Sequence, residues 1–392
     1  MRILQIIPSF DRAGAEKQFA LLCAHLPRDQ FDVHACALTR SGPYEPLLCD
    51  ADVPVTIIGK RFKVDPAAYR ALKRLITRLK PDVVQTWLFA ANAYGRAAAL
   101  ACRVPVVIGC EQCADPWKRW HQLAIDRYLA RRSTRIIVNG SGVRDFYSRA
   151  GIPAEKFVLI PNGIPPHQPS PLSRSEVLAE LNLPANARLV ATVARLWPQK
   201  RIRDVIWAAE LLTVARDDVH VLIIGDGPER AALERFRNQV QLQQRVHFLG
   251  HRDDVPQLIE HFDVLWLASG YEGLPNILME AMAAGVPVVA TDIPGNRQLV
   301  THGSTGYLVP VGDRAALAKF AFQVLESPAQ NTALRENARC EMLGKYPVDK
   351  MVDAHAALYR ELLATCSRAN DEIPNDADPD PSGTKEIRST KS

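Results

Sequence analysis

Glu272 and Glu280 stand eight residues apart in YEGLPNILMEAMAAG, on either side of a Gly-Leu-Pro turn. Gly270 and Gly273-Leu274-Pro275 forbid a continuous helix, so Glu272 belongs to a loop and a helix opens near Pro275 or Asn276. Proline suits a first helical position because the N–H it lacks would be unpaired there. The free N–H groups and the positive dipole end of that first turn form a seat for phosphate. Glu280 lies about a turn further in, too far to cap the helix. A carboxylate so placed can accept hydrogen bonds from a pair of hydroxyls, as on a ribose, and Glu272 can do the same for a second hydroxylated group. Without a ligand, the same residues read as a dipole contact at Glu272 and a solvated side chain at Glu280. Spacing alone leaves both readings open.

Two cations fit the first reading. In VATVARLWPQKRIRD, Arg195 ends an apolar run and Lys200 follows five residues later, before a helical pattern. A fixed guanidinium and a compact ammonium at the edge of a sheet suit a diphosphate, although a solvated basic loop has the same composition. LIIGDGPERAAL (222–233) carries only two glycines, so it reads as a strand-to-helix turn near a base or ribose and not as a dinucleotide fingerprint. Gly14, in SFDRAGAEKQ after the first strand, lets a ligand approach the backbone at a helix start, or simply starts the helix. Cys110 and Cys113 have redox-like spacing, but without a second pair neither a redox nor a zinc role is expected, and no metal site is expected.

The elements that must position these residues are alternating strands and helices. RILQIIPS, FDVHACAL, VPVTIIG, DVVQTW, VPVVIG, TRIIVN and KFVLIP read as strands, with helical spacing at 15–26, 67–79 and 117–130. After the Pro-rich stretch at 162–173 the rhythm restarts with RLVATVAR, HVLIIGDG, RVHFLG, DVLWLAS and VPVVAT. Such alternation predicts an α/β protein of two Rossmann-like, doubly wound domains facing a cleft. The expected divisions are 1–166, then 167–346, a last helix at 347–366 and a disordered tail at 367–392.

The length suits two domains. Eight scattered cysteines suit a reducing compartment, the apolar stretch at the N-terminus is too short for a signal peptide, and no run reaches a membrane span of about 20 residues. The expected location is cytoplasmic. The net charge of +5 is uneven: residues 1–166 carry 24 Lys and Arg against 14 Asp and Glu, a net of +10, whereas residues 167–366 carry 20 against 23. In KRFKVDPAAYRALKRLITRLK (60–80), Leu72, Leu75, Ile76 and Leu79 share one face and Arg70, Arg74 and Arg78 another; WKRWHQLAIDRYLARRSTR (117–135) adds cations and two tryptophans. This is either a core-facing stripe with a solvated basic back or a surface that rests on anionic lipid at the inner face of a membrane. No nucleic-acid module is evident.

Together these segments resemble the retaining glycosyltransferases of family 4, also described as glycosyl transferases group 1. EGLPNILMEAMAAGVPVVAT resembles their Glu-x7-Glu motif, ARLWPQK their Arg-Leu-x-x-x-Lys segment, and Ala13-Gly14-Ala15-Glu16 their Gly-Gly-Ala-Glu loop; GDGPE and FLGHRDDV resemble intervening landmarks. The resemblance spans about residues 2–365 and implies the GT-B fold, with the last helix crossing back to the first domain. It further implies that Glu280 binds the ribose of a UDP- or GDP-linked sugar donor and Glu272 the transferred sugar. Arg195 and Lys200 would hold the diphosphate and, with Glu272, form the catalytic set. Gly273 and Leu274 would line the donor sugar through their backbone, and Gly14 would face the phosphates. No cofactor is implied, and the acceptor would be a glycan, a lipid-linked sugar or a small molecule in cell-surface polysaccharide or glycolipid synthesis. The sequence departs from the family where a histidine often touches the donor sugar, leaving Glu111 or a neighbour there. A His-x-His reads Gln85-Thr86-Trp87, and Asn-Gly-Val-Asp reads Asn162-Gly163-Ile164-Pro165. Glu111 and Asn162 are therefore candidate sugar or acceptor contacts. The departures also admit a second function, a non-catalytic nucleotide-sugar-binding subunit that regulates a partner enzyme.

Overall fold

Strands that are apolar on both faces must be covered on both sides, and the chain achieves this twice. The structure, a computed structural model, describes residues 1–371; the rest of the tail expected to be disordered lies outside the described residues. β1 (Arg2–Ser9), β2 (Asp32–Arg40), β3 (Val55–Ile57), β4 (Val83–Trp87), β5 (Val106–Glu111), β6 (Arg135–Val138) and β7 (Phe157–Leu159) form one parallel sheet in the order 3-2-1-4-5-6-7. β8 (Arg188–Val193), β9 (Val219–Ile224), β10 (Val246–Gly250), β11 (Val264–Leu267), β12 (Val288–Thr291) and β13 (Tyr307–Val309) form the other, in the order 10-9-8-11-12-13. The sequence reading omits β13. Its three residues lie between Gly306 and Pro310, too few to show a period, and it is a strand because Val289 to Thr291 pair with it.

Each strand order reverses beside its first strand, at β1/β4 and at β8/β11. Loops leave these pairs in opposite directions and open a crevice at the carboxyl ends of the strands. Gly14 follows β1, Arg195 follows β8, and Glu272 follows β11, so the topology brings all three to the switch points.

The chain leaves the first sheet at Ile164 and returns at Pro347. There the two crossings pair: Ile164 N–H donates to Tyr346 O at 2.9 Å and Val348 N–H to Ile164 O at 2.9 Å. The last helix, Val348–Asp371, then packs on the first sheet. Val348, Met351, Val352, Ala356, Tyr359 and Leu362 recur at helical spacing and are buried. Each larger apolar side chain there contributes about 1.5–3 kcal/mol relative to exposure. The helix also carries polar anchors. Trp87 Nε1 donates to Gln5 Oε1 (2.9 Å), Gln5 Nε2 to Tyr359 Oη (2.9 Å), and Tyr359 Oη to Gln85 Oε1 (2.7 Å), while His355 stacks on Trp87 with centroids 6.3 Å apart. Gln85 and Trp87, the departures from His-x-His, thus lie beneath this helix and are buried.

Candidate active site

The loop after β11 holds Glu272, and its path is fixed by small residues. A Cβ on Gly273 would overlap the Gln112 carbonyl just after β5, so the two domains meet backbone to backbone here, and a Cβ on Gly295 would overlap the Gly273 carbonyl within the second domain. The helix that follows, Asn276–Ala283, begins one residue after Pro275 and presents Asn276 to the first domain. Asn276 Nδ2 donates to Gly14 O at 2.9 Å. Its Oδ1 accepts from Asn162 Nδ2 at 2.7 Å and from Gln18 Nε2 at 3.3 Å. Asn162 also donates to Leu274 O at 2.9 Å, and Gln18 closes the knot through both polar atoms of Gly163. Asn162 therefore joins loop, helix and linker, and the Leu274 side chain is buried in the second core. Gly14 faces the first turn of the Asn276–Ala283 helix, where a Cβ would sit 3.3 Å from Asn276 Nδ2.

Each glutamate of the eight-residue pair is held by a lysine. Lys200 makes a short ion pair with Glu272, and Gln199 Nε2 lies 3.4 Å from the other Glu272 oxygen while donating to Tyr271 O at 2.8 Å. Glu280 pairs at 2.6 Å with Lys17 of the first helix, Gly14–His25, from across the cleft. Arg12 makes a further cross-cleft pair with Asp253. Both glutamate pairs keep partial contact with solvent. Arg195 is exposed at the end of β8, its guanidinium 5.8 Å from the Trp197 ring. It is close enough to Glu16 to act on that buried carboxyl: burial pushes Glu16 up to about 7, while a backbone hydrogen bond and then the Arg195 charge pull it down. In this closed arrangement the groups expected to read hydroxyls and phosphates neutralise one another. A diphospho-sugar would exchange those partners, phosphate for carboxylate at the lysines and hydroxyl for ammonium at the glutamates.

Glu111, a candidate sugar or acceptor contact, is buried in the first domain. Its side chain is 3% exposed and accepts from Asn92 Nδ2 (2.9 Å) and Tyr147 Oη (3.0 Å), with Lys118 Nζ at 3.3 Å. Lys118, itself fully buried, also reaches Asp126 at 2.9 Å and Asp115 at 3.7 Å, and Asp126 pairs with Arg96 at 2.9 Å. Burial disfavours the Lys118 ammonium, but the three carboxylates outweigh it and raise its pKa. Burial likewise raises Asp115 to about 6. A carboxylate with every oxygen engaged inside such a cluster holds structure together.

The neighbours of Glu111 occupy the cleft instead. The Gly273 N–H faces the Cys113 thiol, which Glu272 and Lys200 also flank, and Gln112 packs under Gly273. Asn139, at the end of β6, donates to Gln112 O (3.1 Å) and keeps a buried Oδ1 without a protein partner beside Gly273; Ser269 Oγ, just before the loop, is equally unpartnered. Free buried acceptors and donors beside a loop that should line a sugar fit a hydroxylated ligand. Sequence reasoning met Cys113 only through its spacing from Cys110 and missed Lys17, Gln18, Asn139 and Asn276 as site residues. Their only signal was position, each lying just after a strand or at a helix start. Among the described residues no group of three His, Cys, Asp or Glu side chains is placed to hold a metal ion.

Comparison with known proteins gives a consistent picture. The family model described as Glycosyltransferase Family 4 matches residues 12–168, and that described as Glycosyl transferases group 1 matches residues 173–341. The N-acetyl-alpha-D-glucosaminyl L-malate synthase of Bacillus anthracis is 30% identical over 190 residues, 48% of this chain and 49% of that protein, so the match spans about half of its length. The UDP-Gal:alpha-D-GlcNAc-diphosphoundecaprenol alpha-1,3-galactosyltransferase of Escherichia coli is 27% identical over 86% of this chain and 91% of its own. Among solved structures, HepE of Anabaena in complex with UDP and glucose superposes with a TM-score of 0.83 at 23% identity, covering 92% of this chain and all of that one. That similarity establishes the fold.

Proposed function

On the premise that this chain belongs to glycosyltransferase family 4, the retaining group-1 glycosyl transferases with the GT-B fold, we propose that it moves a sugar from a UDP-linked donor to a lipid-linked or glycan acceptor in cell-surface polysaccharide or glycolipid synthesis. The observation that carries the reading is the pair of exchangeable carboxylate–ammonium contacts, Lys200 with Glu272 on the loop before the Asn276–Ala283 helix and Lys17 with Glu280 within it. Glu280 takes the ribose hydroxyls, Glu272 the hydroxyls of the transferred sugar, and Arg195 and Lys200 the diphosphate. The choice of UDP is supported by the complexes of HepE with UDP and with UDP-glucose, and the choice of a lipid-linked acceptor by the Escherichia coli relative's diphosphoundecaprenol substrate.

The chemistry follows from charge. As the bond from sugar C1 to the phosphate oxygen breaks, negative charge grows on the diphosphate. Arg195, Lys200 and the N-terminus of the Asn276–Ala283 helix stabilise it with dipoles and charges already in place. The acceptor oxygen bonds to C1 on the same face, its proton passes to the departing phosphate oxygen, and UDP leaves. No side-chain base is required for that sequence. The regulatory-subunit alternative rested on the departures at 85–87 and 111. Gln85 and Trp87 lie under the last helix and Glu111 lies in the buried cluster, so those departures leave the donor groups unchanged.

Thermal melting with UDP, GDP and ADP tests the donor assignment. Ligand at about 100 times its dissociation constant stabilises by roughly 2.7 kcal/mol. The expected result is a shift with UDP that Glu280→Ala reduces. A shift with GDP alone overturns the base assignment, and no shift with any of the three overturns the site.

A further inference from the structure

Most large apolar side chains of this protein are buried, but one region of the first domain inverts the rule. Phe62 is 70% exposed, Val64 81%, Trp117 53%, Trp120 79% and Tyr128 57%. They come from two loops and one helix that the fold brings together. The 58–65 loop follows β3 and the 112–119 loop follows β5, so both leave the carboxyl edge of the same sheet. Both also lean on the Leu88–Ala101 helix: Trp117 packs edge-on to Phe89 (centroids 6.4 Å), and five residues along, Tyr94 Oη donates to Lys63 O (3.1 Å) and accepts from Asp65 N–H (2.7 Å). Phe89 and Tyr94 are about 7.5 Å apart along the helix and about 140° apart around it, so the two loops flank its first turns on either side, along the carboxyl edge of the first sheet. The Trp120–Arg132 helix starts at that edge with Trp120 and runs toward the opposite edge of the sheet, with Tyr128, Arg131 and Arg132 facing solvent about 12–18 Å further along it.

The region is also of one charge. The acidic residues in 58–80 and 113–135 are Asp65, Asp115 and Asp126. Asp65 is buried as the cap of the Pro66–Leu79 helix, accepting from Ala68 N–H at 2.9 Å, while Asp115 and Asp126 face the buried Lys118. What reaches solvent is Arg61, Lys63, Arg119, Arg127, Arg131 and Arg132, interleaved with aromatic rings. The Lys118 cluster has a consequence here. By drawing the middle of Trp-Lys-Arg-Trp inward, it holds Trp117, Arg119 and Trp120 outward, so the exposure is built into the loop. Aromatic rings that seat at headgroup depth, beside cations and without competing acids, are complementary to an anionic lipid surface.

We propose that the Phe62–Val64 and Trp117–Trp120 loops, with the outer face of the Trp120–Arg132 helix, dock this protein on an anionic phospholipid bilayer and hold the first domain's edge of the cleft against it. This deepens the proposed reaction and rests on it for the lipid-linked acceptor alone. The basic stripe of Arg70, Arg74 and Arg78 backs a helix whose Leu72, Leu75 and Ile76 are already buried, so it supplies charge without an apolar face.

The test is cosedimentation of the full chain with vesicles of phosphatidylcholine containing about one third phosphatidylglycerol, with brominated acyl chains as a tryptophan quencher. The wild type should bind at low salt, release at high salt and show quenched fluorescence. A triple variant, Phe62→Ser, Val64→Ser and Trp120→Ser, should partition at least about tenfold more weakly. So should a charge variant, Lys63→Glu with Arg119→Glu. No sedimentation of the wild type, equal sedimentation of the variants, or equal binding to vesicles of phosphatidylcholine alone would each overturn the proposal. Binding to native membrane fragments but not to protein-free vesicles would also overturn it, in favour of a protein partner. The UDP melting shift is measured on the same preparations. If it is missing while vesicle binding stands, the donor reading has failed and the docking surface has not.

Discussion

Two regions of this protein use the same side chains to opposite ends. At the cleft, Lys200–Glu272 and Lys17–Glu280 are single ion pairs with side chains 9–23% exposed. Within the first domain, Lys118 is surrounded by Glu111, Asp115 and Asp126, with Arg96 behind, and Lys118, Arg96, Glu111 and Asp126 are 0–3% exposed. Water and ligand can reach the first set, so each partner is replaceable. In the second set, removing one member leaves charges that nothing else can solvate. The difference is access, since the residue types and distances are alike.

The largest effect that follows is on stability. Lys118→Met should destabilise by about 3–5 kcal/mol, because three buried carboxylates would face Arg96 alone. Urea unfolding reads this directly, and a loss under about 1 kcal/mol would break the comparison. Next comes Arg195→Ala, an exposed residue, which should leave the unfolding midpoint in place. It should lower turnover by about 10²–10³-fold, the usual penalty for removing one group that stabilises developing charge. Release of UDP from the donor is the measurement, and wild-type turnover would put the diphosphate elsewhere. Lys17→Met sharpens the contrast from the other side. Although the pair it breaks spans the cleft, the stability change should stay within about 1 kcal/mol, and it should shrink further in salt.

The smallest effect concerns His355. Burial lowers its pKa from 6.5 to about 4, with the Met351 carbonyl opposing in part. The unfolded chain therefore takes up the proton first as pH falls. Stability from this group is full above 6.5 and is lost progressively between 6.5 and about 4. From roughly pH 7.5 to pH 6 only the top of that window is sampled, a loss under about 1 kcal/mol. Melting curves of His355→Gln should show a shallower slope, with His247, also lowered to about 4 by burial, keeping its share; an unchanged slope would assign no part of it to His355.

Much of the architecture was legible because its signals are local. Apolar runs of strand length, glycine and proline at their ends, and 3.6-residue spacing between them are readable within windows of ten residues. The three-residue β13 escaped because it has no period of its own and is defined by its partner. The last helix, expected at 347–366, is Val348–Asp371, reaching past the apolar pattern that marked its end in the sequence. Glu272, Glu280, Arg195 and Gly14 were legible as candidates since each sits beside a strand end or a helix start. Glu111 sits beside one too, and nothing in its neighbourhood distinguishes it.

Sequence by itself determined the two doubly wound sheets, the switch-point loops and the spacing of two carboxylates about a helix start, since all of these depend on residues close in the chain. Only the tertiary structure decided which carboxylates stay exchangeable. Lys17 and Glu280 meet across 263 residues and Lys200 and Glu272 across 72, while Glu111 is enclosed by a lysine seven residues on and a tyrosine 36 on. Whether a charge is a ligand for sugar or a strut in the core is a property of its surroundings in three dimensions, because desolvation and pairing are set by neighbours that sequence distance does not order.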